Sequence, residues 1–169
     1  MKNYLIILMF LTLTANAQKG ISFSVLQDVK LGLGLDAEHG NDKPTADVII
    51  NMNWQCTQYE FYYFALQTQY EHANLSSGYF RRYSVHGIWN FNRLIIPNLT
   101  IGAGVGVGAL HRQNLGGLLT YSGTVDISYK VFKNIDVIIK NEMVRRPDLE
   151  TPKLGYNLSF GLTFKPVQL

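Results

Sequence analysis

Hydrophobic and polar residues alternate with a period of two through most of the chain, which is the pattern of β-strands with two unlike faces. The stretch LGYNLSFGLTF is the clearest case, because Leu158, Phe160 and Leu162 share one face while Asn157 and Ser159 lie on the other. TADVIINMNW and LTYSGTVDISYKV alternate almost as well, and five further segments do so with more exceptions. The pattern predicts eight strands, at 21–35, 45–55, 59–72, 78–92, 98–112, 117–131, 135–147 and 153–165.

These strands are about ten to fifteen residues long, whereas a strand of an ordinary globular protein has about five or six. No segment with helical periodicity separates them, and the connections between them have the character of turns and loops. An even number of long, adjacent, antiparallel strands is typical of an up-and-down barrel. We therefore predict an all-β protein built as one eight-stranded antiparallel barrel.

The aromatic residues of the apolar face decide between a soluble barrel and a transmembrane one. If the N-terminus lies in the periplasm, odd strands run up and even strands run down, and the aromatic residues form two bands. Such girdles are typical of membrane barrels, because aromatic rings with polar tips collect at both interfaces. The lower band would contain Trp54, Trp89, Phe91, Tyr129 and Phe164, and the upper band Tyr70, Tyr79, Tyr83, Tyr121 and Tyr156.

The opposite, polar face carries charges of both signs in nearly equal number. An enclosed lumen requires this balance, since an unpaired buried charge costs several kcal/mol. In a hairpin centred on Ser76–Ser77, Glu71 and Arg82 lie opposite each other, which predicts a cross-strand ion pair. The predicted lumen network consists of the acids Asp28, Asp47, Glu71, Asp126, Asp136 and Glu142 and the bases Lys30, Arg82, Lys130, Lys140 and Arg146.

The segment GAGVGVGAL has glycine at every second position and contains the G-x-G-x-x-A spacing of dinucleotide-binding loops. That interpretation requires a helix directly afterwards, and the residues LHRQNLGG that follow have turn character instead. A glycine row within a narrow barrel leaves room for long side chains on neighbouring strands. We expect Gly104 and Gly106 to accommodate side chains such as Arg82, His86 and Lys130.

The N-terminal segment has a positive start, an apolar run and an A-x-A site, which predicts a secretory signal peptide at 1–17 and a barrel at 18–169. The chain is 47% hydrophobic and 16% charged, yet the mature part contains no apolar run long enough for a transmembrane helix. Its net charge of +3 falls to +2 without Lys2, which is too weak to indicate nucleic-acid binding. Cys56 is the single cysteine, so no intramolecular disulfide forms.

On these patterns, residues 18–169 resemble the small eight-stranded outer-membrane β-barrels, of which the OmpA transmembrane domain is the familiar member. YEHANLSSGYFRRYS and MVRRPDLE are also similar to segments of uncharacterised small barrels. The resemblance implies a monomeric, non-enzymatic protein in the outer membrane of a Gram-negative-type bacterium, with no cofactor and no bound metal. One departure is that KPVQL follows Phe164, whereas such barrels often end on an aromatic residue.

Two alternatives remain open at this point. Ser84 and His86 share a face, as in outer-membrane lipid-modifying enzymes, but there the pair must face lipid and here its phase turns it into the lumen. The histidines have no metal-binding spacing such as H-E-x-x-H. The second alternative is a secreted lipocalin-like binder of a small ligand.

The expected role is structural or an interaction at the cell surface, because a charge-filled lumen of eight strands leaves little passage for a solute. Candidate contact surfaces for a partner are the loops at 36–44 and 147–153. Outer-membrane lipid is the other expected partner. Arg81 and Arg145 face outward at the upper edge, where they could pair with lipid phosphates.

Overall fold

The computed structural model describes residues 20–35, 43–75, 78–93, 95–113, 115–148 and 154–165. It is a closed barrel of eight strands in chain order. A short helix, α1 (Val29–Gly32), follows the first strand. The strands are β1 (Ile21–Asp28), β2 (Asp47–Gln58), β3 (Tyr62–Leu75), β4 (Gly78–Asn92), β5 (Leu99–Arg112), β6 (Leu115–Phe132), β7 (Ile135–Arg145) and β8 (Leu154–Phe164).

Every strand is antiparallel to the next one, and β1 pairs with β8 to close the barrel. Closure matters because it removes the unpaired edges that an open sheet would present. The predicted up-and-down barrel is therefore confirmed. We call the end that holds the start of β1 the lower end, and the end that holds α1 and the β3–β4 hairpin the upper end.

The polar faces of the strands line the interior, and the apolar faces form the outer surface. Lys140 is 1% exposed and Asp126 is 5% exposed, whereas Phe160 is 52% exposed. A soluble protein buries its large apolar side chains and exposes its ions, so this barrel has the reverse arrangement. The alternation of the sequence predicted these two faces, because neighbouring residues of a strand point to opposite sides of the sheet.

Two predicted strands end earlier than expected. β1 stops at Asp28, whose carboxylate accepts a hydrogen bond of 2.9 Å from the backbone N–H of Leu31 and so caps α1. The prediction of a strand as far as residue 35 was wrong, because KLGLGL also alternates by chance. β7 ends at Arg145, which leaves Arg146 one residue beyond the strand.

The upper part of the lumen contains an apolar cluster that the sequence did not predict. Ala73, Phe80 and Leu110 are buried there, and Leu31 of α1 packs against them. Helix α1 therefore contributes to closing the upper end. The proposed signal peptide, most of the 36–44 loop and residues 149–153 lie outside the described residues.

Candidate functional site

The middle of the lumen holds a buried group of charged side chains centred on Arg82. Its Nε lies 2.7 Å from Oε2 of Glu71, directly opposite on β3, and its Nη2 lies 2.6 Å from Oε2 of Glu142 on β7. All three side chains are almost completely buried. One guanidinium thus joins two carboxylates on opposite sides of the barrel.

Lys140 adds a second positive charge to this group. Its ammonium donates hydrogen bonds to the side-chain carbonyls of Gln67, at 2.7 Å, and Gln69. The amide of Gln69 in turn donates to Glu142 at 3.1 Å. We call Glu71, Arg82, Lys140 and Glu142, with the two glutamines, the lumen cluster. Charged groups that share hydrogen bonds in this way can be buried without an uncompensated charge.

The other predicted lumen residues are distributed above and below this cluster. Asp28 caps α1, and Asp47 is fully buried at the start of β2, where its carboxylate has no hydrogen-bond partner among the described residues. Asp126 is buried on β6. Asp136 is also buried, and its carboxylate pairs with Lys165.

Three predicted members of the lumen network lie elsewhere, and the first two are Lys30 and Lys130. Lys30 is on α1, and its ammonium lies 5.0 Å from the ring centroid of Tyr156. Lys130 is exposed and lines the lower mouth of the barrel. Lys30 does not point into the lumen because β1 ends before it. For Lys130 the strand phase was correct, but the residue lies too close to the lower end to be enclosed.

Arg146 lies at the upper rim and not in the lumen cluster. Its guanidinium makes a bidentate pair with Asp148, at 2.9 and 2.8 Å, and Arg112 lies 3.3 Å from the same carboxylate. Burial alone would raise the pKa of the Asp148 carboxyl, but hydrogen bonds and charges, chiefly from Arg146, lower that pKa below its ordinary value. Asp148 was not among the predicted residues, because loop residues have no strand phase from which a face can be inferred.

Below the lumen cluster lies a polar cavity of about 630 Å³. Gln67 of the lumen cluster is part of its wall, and the exposed Lys130 and Lys165 stand at its lower mouth. Asp126 and Tyr63 line its sides. The barrel therefore has room for solvent in its lower part, while the charged and apolar groups above fill the lumen.

Ser84 and His86 form a hydrogen bond of 2.8 Å between Oγ and Nε2 within the lumen. Glu142 lies 3.8 Å from the same Nε2, and the Nδ1 atom has no hydrogen-bond partner among the described residues. In a nucleophile–histidine–acid triad the serine and the acid contact different ring nitrogens. The arrangement here is that of a polar network, and both side chains are buried away from the outer surface.

The glycine row of β5 faces the lumen and lies against β4. Gly104 is opposite Ile88, Gly106 is opposite His86, and both partners are buried. The expectation for His86 agrees with this register. Arg82 instead lies opposite Leu110, and Lys130 is at the lower mouth, so neither of them occupies the space that the glycines leave.

The residues of both proposed aromatic bands are on the outward phase of their strands. At the lower end Trp89, Phe91, Tyr129 and Phe164 are exposed and Trp54 is half-buried; at the upper end Tyr79, Tyr83, Tyr121 and Tyr156 are exposed and Tyr70 is half-buried. Between the bands the outer surface is formed by aliphatic residues such as Val85, Val107 and Val125. Arg81 and Arg145 are exposed at the upper end.

No group of three or more His, Cys, Asp or Glu side chains among the described residues is arranged to hold a metal ion. Within the same part of the chain, no helix is long and apolar enough to cross a membrane. Cys56 is an exposed free thiol next to a β-bulge at the lower end of β2.

Strand order, closure and register define the chain as an eight-stranded up-and-down β-barrel with a polar, largely filled interior and an apolar exterior. No protein-family model and no characterised protein sequence matches it. Its fold is similar to that of small outer-membrane β-barrels of known structure, as the resemblance in sequence pattern predicted.

One such structure is a de novo designed transmembrane β-barrel, with a TM-score of 0.55 and 15% identity over 87% of this chain and 95% of that one. Another is the outer membrane protein Ail of Yersinia pestis, with a TM-score of 0.56 and 12% identity over 86% and 97% of the two chains. Neisserial surface protein A gives a TM-score of 0.48 at 12% identity, over 86% and 93%. At these identities the likeness concerns the fold.

Proposed function

We propose that this protein is an integral outer-membrane β-barrel with no enzymatic activity, and that it acts as a structural or surface-interaction component of the cell envelope. The observation that carries the proposal is the reversed burial: ions and amides fill the interior, while an apolar surface with aromatic bands at both ends faces outward. Water would solvate that outer surface poorly, whereas a bilayer matches it. The fold shared with Ail and with a designed transmembrane barrel supports the same conclusion.

The filled lumen argues for a role outside transport. The lumen cluster fills the middle of the barrel and the apolar cluster lies above it, so among the described residues the cavity below has no wide continuation upward. The proposal therefore places any partner contacts at the upper loops, of which 36–44 and 147–153 are the candidates. Export by a signal peptide at 1–17 and a monomeric state remain part of the proposal.

Ser84 and His86 carry no support for a lipid-modifying enzyme, because a lipid substrate on the outer surface does not reach a pair enclosed in the lumen. A lipocalin-like binder of a small ligand would need a mostly apolar pocket, and here the cavity is lined mostly by polar side chains.

The test uses the two tryptophans of the chain, Trp54 and Trp89, which both belong to the lower aromatic band. The full-length protein is expressed with its leader, its membrane fraction is recovered, and folding is checked by heat-modifiable gel mobility. The purified protein is then refolded into vesicles whose lipids carry bromine at different acyl positions. We expect tryptophan fluorescence to be quenched most by the shallowest bromine label, because girdle residues lie near the interface.

Single-tryptophan variants, Trp54→Phe and Trp89→Phe, make the assignment specific to each residue. Recovery of the protein from the soluble fraction without detergent, or the absence of quenching at every depth, would overturn the proposal. Quenching that is strongest at the bilayer centre would show that the tryptophans do not form an aromatic girdle at the lower interface, but it would still support a membrane location.

A further inference from the structure

Three side chains that can donate hydrogen bonds to an anion form a row across the outer face near the upper end. Arg81 of β4 lies directly opposite His72 of β3 on one side and His111 of β5 on the other. Side chains that are directly opposite on neighbouring strands have Cβ atoms about 4.5–5.5 Å apart. A single oxyanion above Arg81 would therefore be within reach of all three, and we call these residues the basic row.

Tyrosine rings lie above and below the basic row. The guanidinium of Arg81 lies 5.0 Å from the ring centroid of Tyr79 on its upper side. On its lower side the rings of Tyr70 and Tyr83 are 5.1 Å apart, and they contact His72 and His111 with centroid separations of 6.5 and 6.3 Å. Tyrosine is typical of the membrane–water interface, so the proposed membrane location puts the basic row at the level of lipid headgroups.

The row has unused hydrogen-bonding capacity within the part of the chain that the structure describes. Arg81 has no ion-pair partner there, and Nδ1 of His72 is shielded from solvent without a hydrogen-bond partner.

The surface directly below the row is of a different kind. One further step down from the tyrosines, the same three strands present Thr68, Val85 and Val107 in register. Both valines are about half exposed, at 48% and 47%. An anion-binding row above an apolar strip matches a molecule with a phosphate at one end and acyl chains at the other.

We propose that the basic row binds the phosphate group of an outer-leaflet lipid, with the lipid's acyl chains lying along the strip below. This inference rests on the proposed function, because it requires the apolar surface to lie in a bilayer. The planar guanidinium of Arg81 donates two parallel hydrogen bonds to the phosphate, and the imidazoles donate from either side. The chemical class is a phosphorylated lipid, either a phosphodiester such as phosphatidylglycerol or a phosphorylated glycolipid such as lipid A.

The experiment measures lipid binding to the purified full-length protein in maltoside micelles, which contain no phosphate. Folding is first verified by heat-modifiable mobility. Four probes are then titrated and counted on the protein by native mass spectrometry: phosphatidylglycerol, lipid A, uncharged diacylglycerol and inorganic phosphate. We expect one of the two phosphorylated lipids to bind with a defined stoichiometry, and the preferred one identifies the source of the phosphate.

Variants then distinguish the basic row from general positive charge. Arg81→Gln should weaken binding by about tenfold or more, because it removes a charge-assisted hydrogen bond to the phosphate. The double variant of His72→Gln and His111→Gln should weaken it as well, while Arg81→Lys should retain part of the affinity. Arg93→Gln is the matched control, because Arg93 is also exposed but lies just beyond the lower end of β4, far from the basic row.

Several results would overturn the inference. Equal losses for Arg81→Gln and Arg93→Gln would show a diffuse effect of charge, and equal binding of diacylglycerol would show that the phosphate is not recognised. If inorganic phosphate binds with the same affinity as the phosphorylated lipids, the site recognises phosphate alone and the proposal of a lipid ligand fails. If the barrel folds and enters membranes but binds none of the probes, the inference fails while the proposed function stands. If the folded protein is soluble without detergent, the proposed membrane location fails, and the lipid-binding inference fails with it.

Discussion

The glycine row of β5 allows the packing of β4 against β5 to be tested by adding a single methyl group. A Cβ at position 104 would contact the carbonyl oxygen of Gly87 and would lie 2.9 Å from Cγ1 of Ile88. Ile88 is 2% exposed, and the carbonyl belongs to the backbone of a paired strand, so neither can move away freely. We therefore predict that Gly104→Ala destabilises the barrel although alanine is the smallest possible addition.

Two opposing effects determine the size of the change. Overpacking of a filled interior costs about 1–3 kcal/mol. Replacing glycine by alanine also reduces the freedom of the unfolded chain, which stabilises a protein by about 0.4–1 kcal/mol where the backbone conformation permits. Gly104 does not have a positive φ, so both effects apply. The net prediction is a loss of about 1–2 kcal/mol.

Gly123 is the matched control for this substitution. It lies on β6 opposite Val105, which is the residue that follows Gly104 on β5. Gly123 faces outward, where a Cβ would meet nothing within 4 Å. Only the effect on the unfolded chain remains there, so Gly123→Ala should be neutral or stabilise by about 0.4–1 kcal/mol. Reversible urea unfolding from phosphatidylcholine vesicles, followed by the fraction of heat-modifiable protein, measures both variants.

The comparison of the two variants refutes or supports the reasoning directly. If Gly104→Ala unfolds at the same urea concentration as Gly123→Ala, the close approach of β4 and β5 does not require glycine. A loss in both variants would indicate instead that alanine disfavours strand formation at any position, independent of the lumen.

Three further predictions concern charged groups. Glu142→Gln should cost about 3–5 kcal/mol of unfolding free energy, since it leaves the buried charge of Arg82 only partly compensated; urea unfolding from vesicles measures this, and a loss under 1 kcal/mol would contradict it. A double-mutant cycle on Glu71 and Arg82 should give a coupling energy distinct from zero, and a value of zero would show that the ion pair does not stabilise the barrel. The lowered pKa of Asp148 stabilises the folded state above the unfolded pKa of about 3.9, and this contribution is lost as the pH falls through the lower folded pKa. Asp148→Asn should therefore weaken the dependence of stability on pH in acid, and identical acid profiles for the variant and the wild type would refute this.

Local pattern was sufficient to predict most of the wall of the barrel. A two-residue period is a property of each strand by itself, so the outward positions of Trp89 and Phe160 and the inward positions of Lys140 and Glu142 follow without knowledge of neighbouring strands. The β3–β4 hairpin added one register, because a short turn determines which residues face each other. That register places Glu71 opposite Arg82, as predicted. It also places His72 opposite Arg81, which was not predicted.

Irregular segments were predicted less well. Asp28 ends β1 by capping a helical turn, and KLGLGL gives no warning of this because its alternation continues past the strand. Loop residues have no fixed phase, so the pairing of Asp148 with Arg146 could not be inferred. The apolar cluster around Phe80 was also missed, since a single apolar residue on a polar face looks like noise in the pattern.

By itself, the sequence determined that eight long strands with one polar and one apolar face would form an up-and-down barrel. Closure of the barrel decided the rest, because it brings together strands that are far apart in the chain. Arg82 of β4 meets Glu142 of β7 across the lumen only once β1 has paired with β8, and His111 joins Arg81 only through the register of β4 with β5. Local periodicity sets the side to which a residue points, whereas its partners depend on long-range register and curvature, which no single strand encodes.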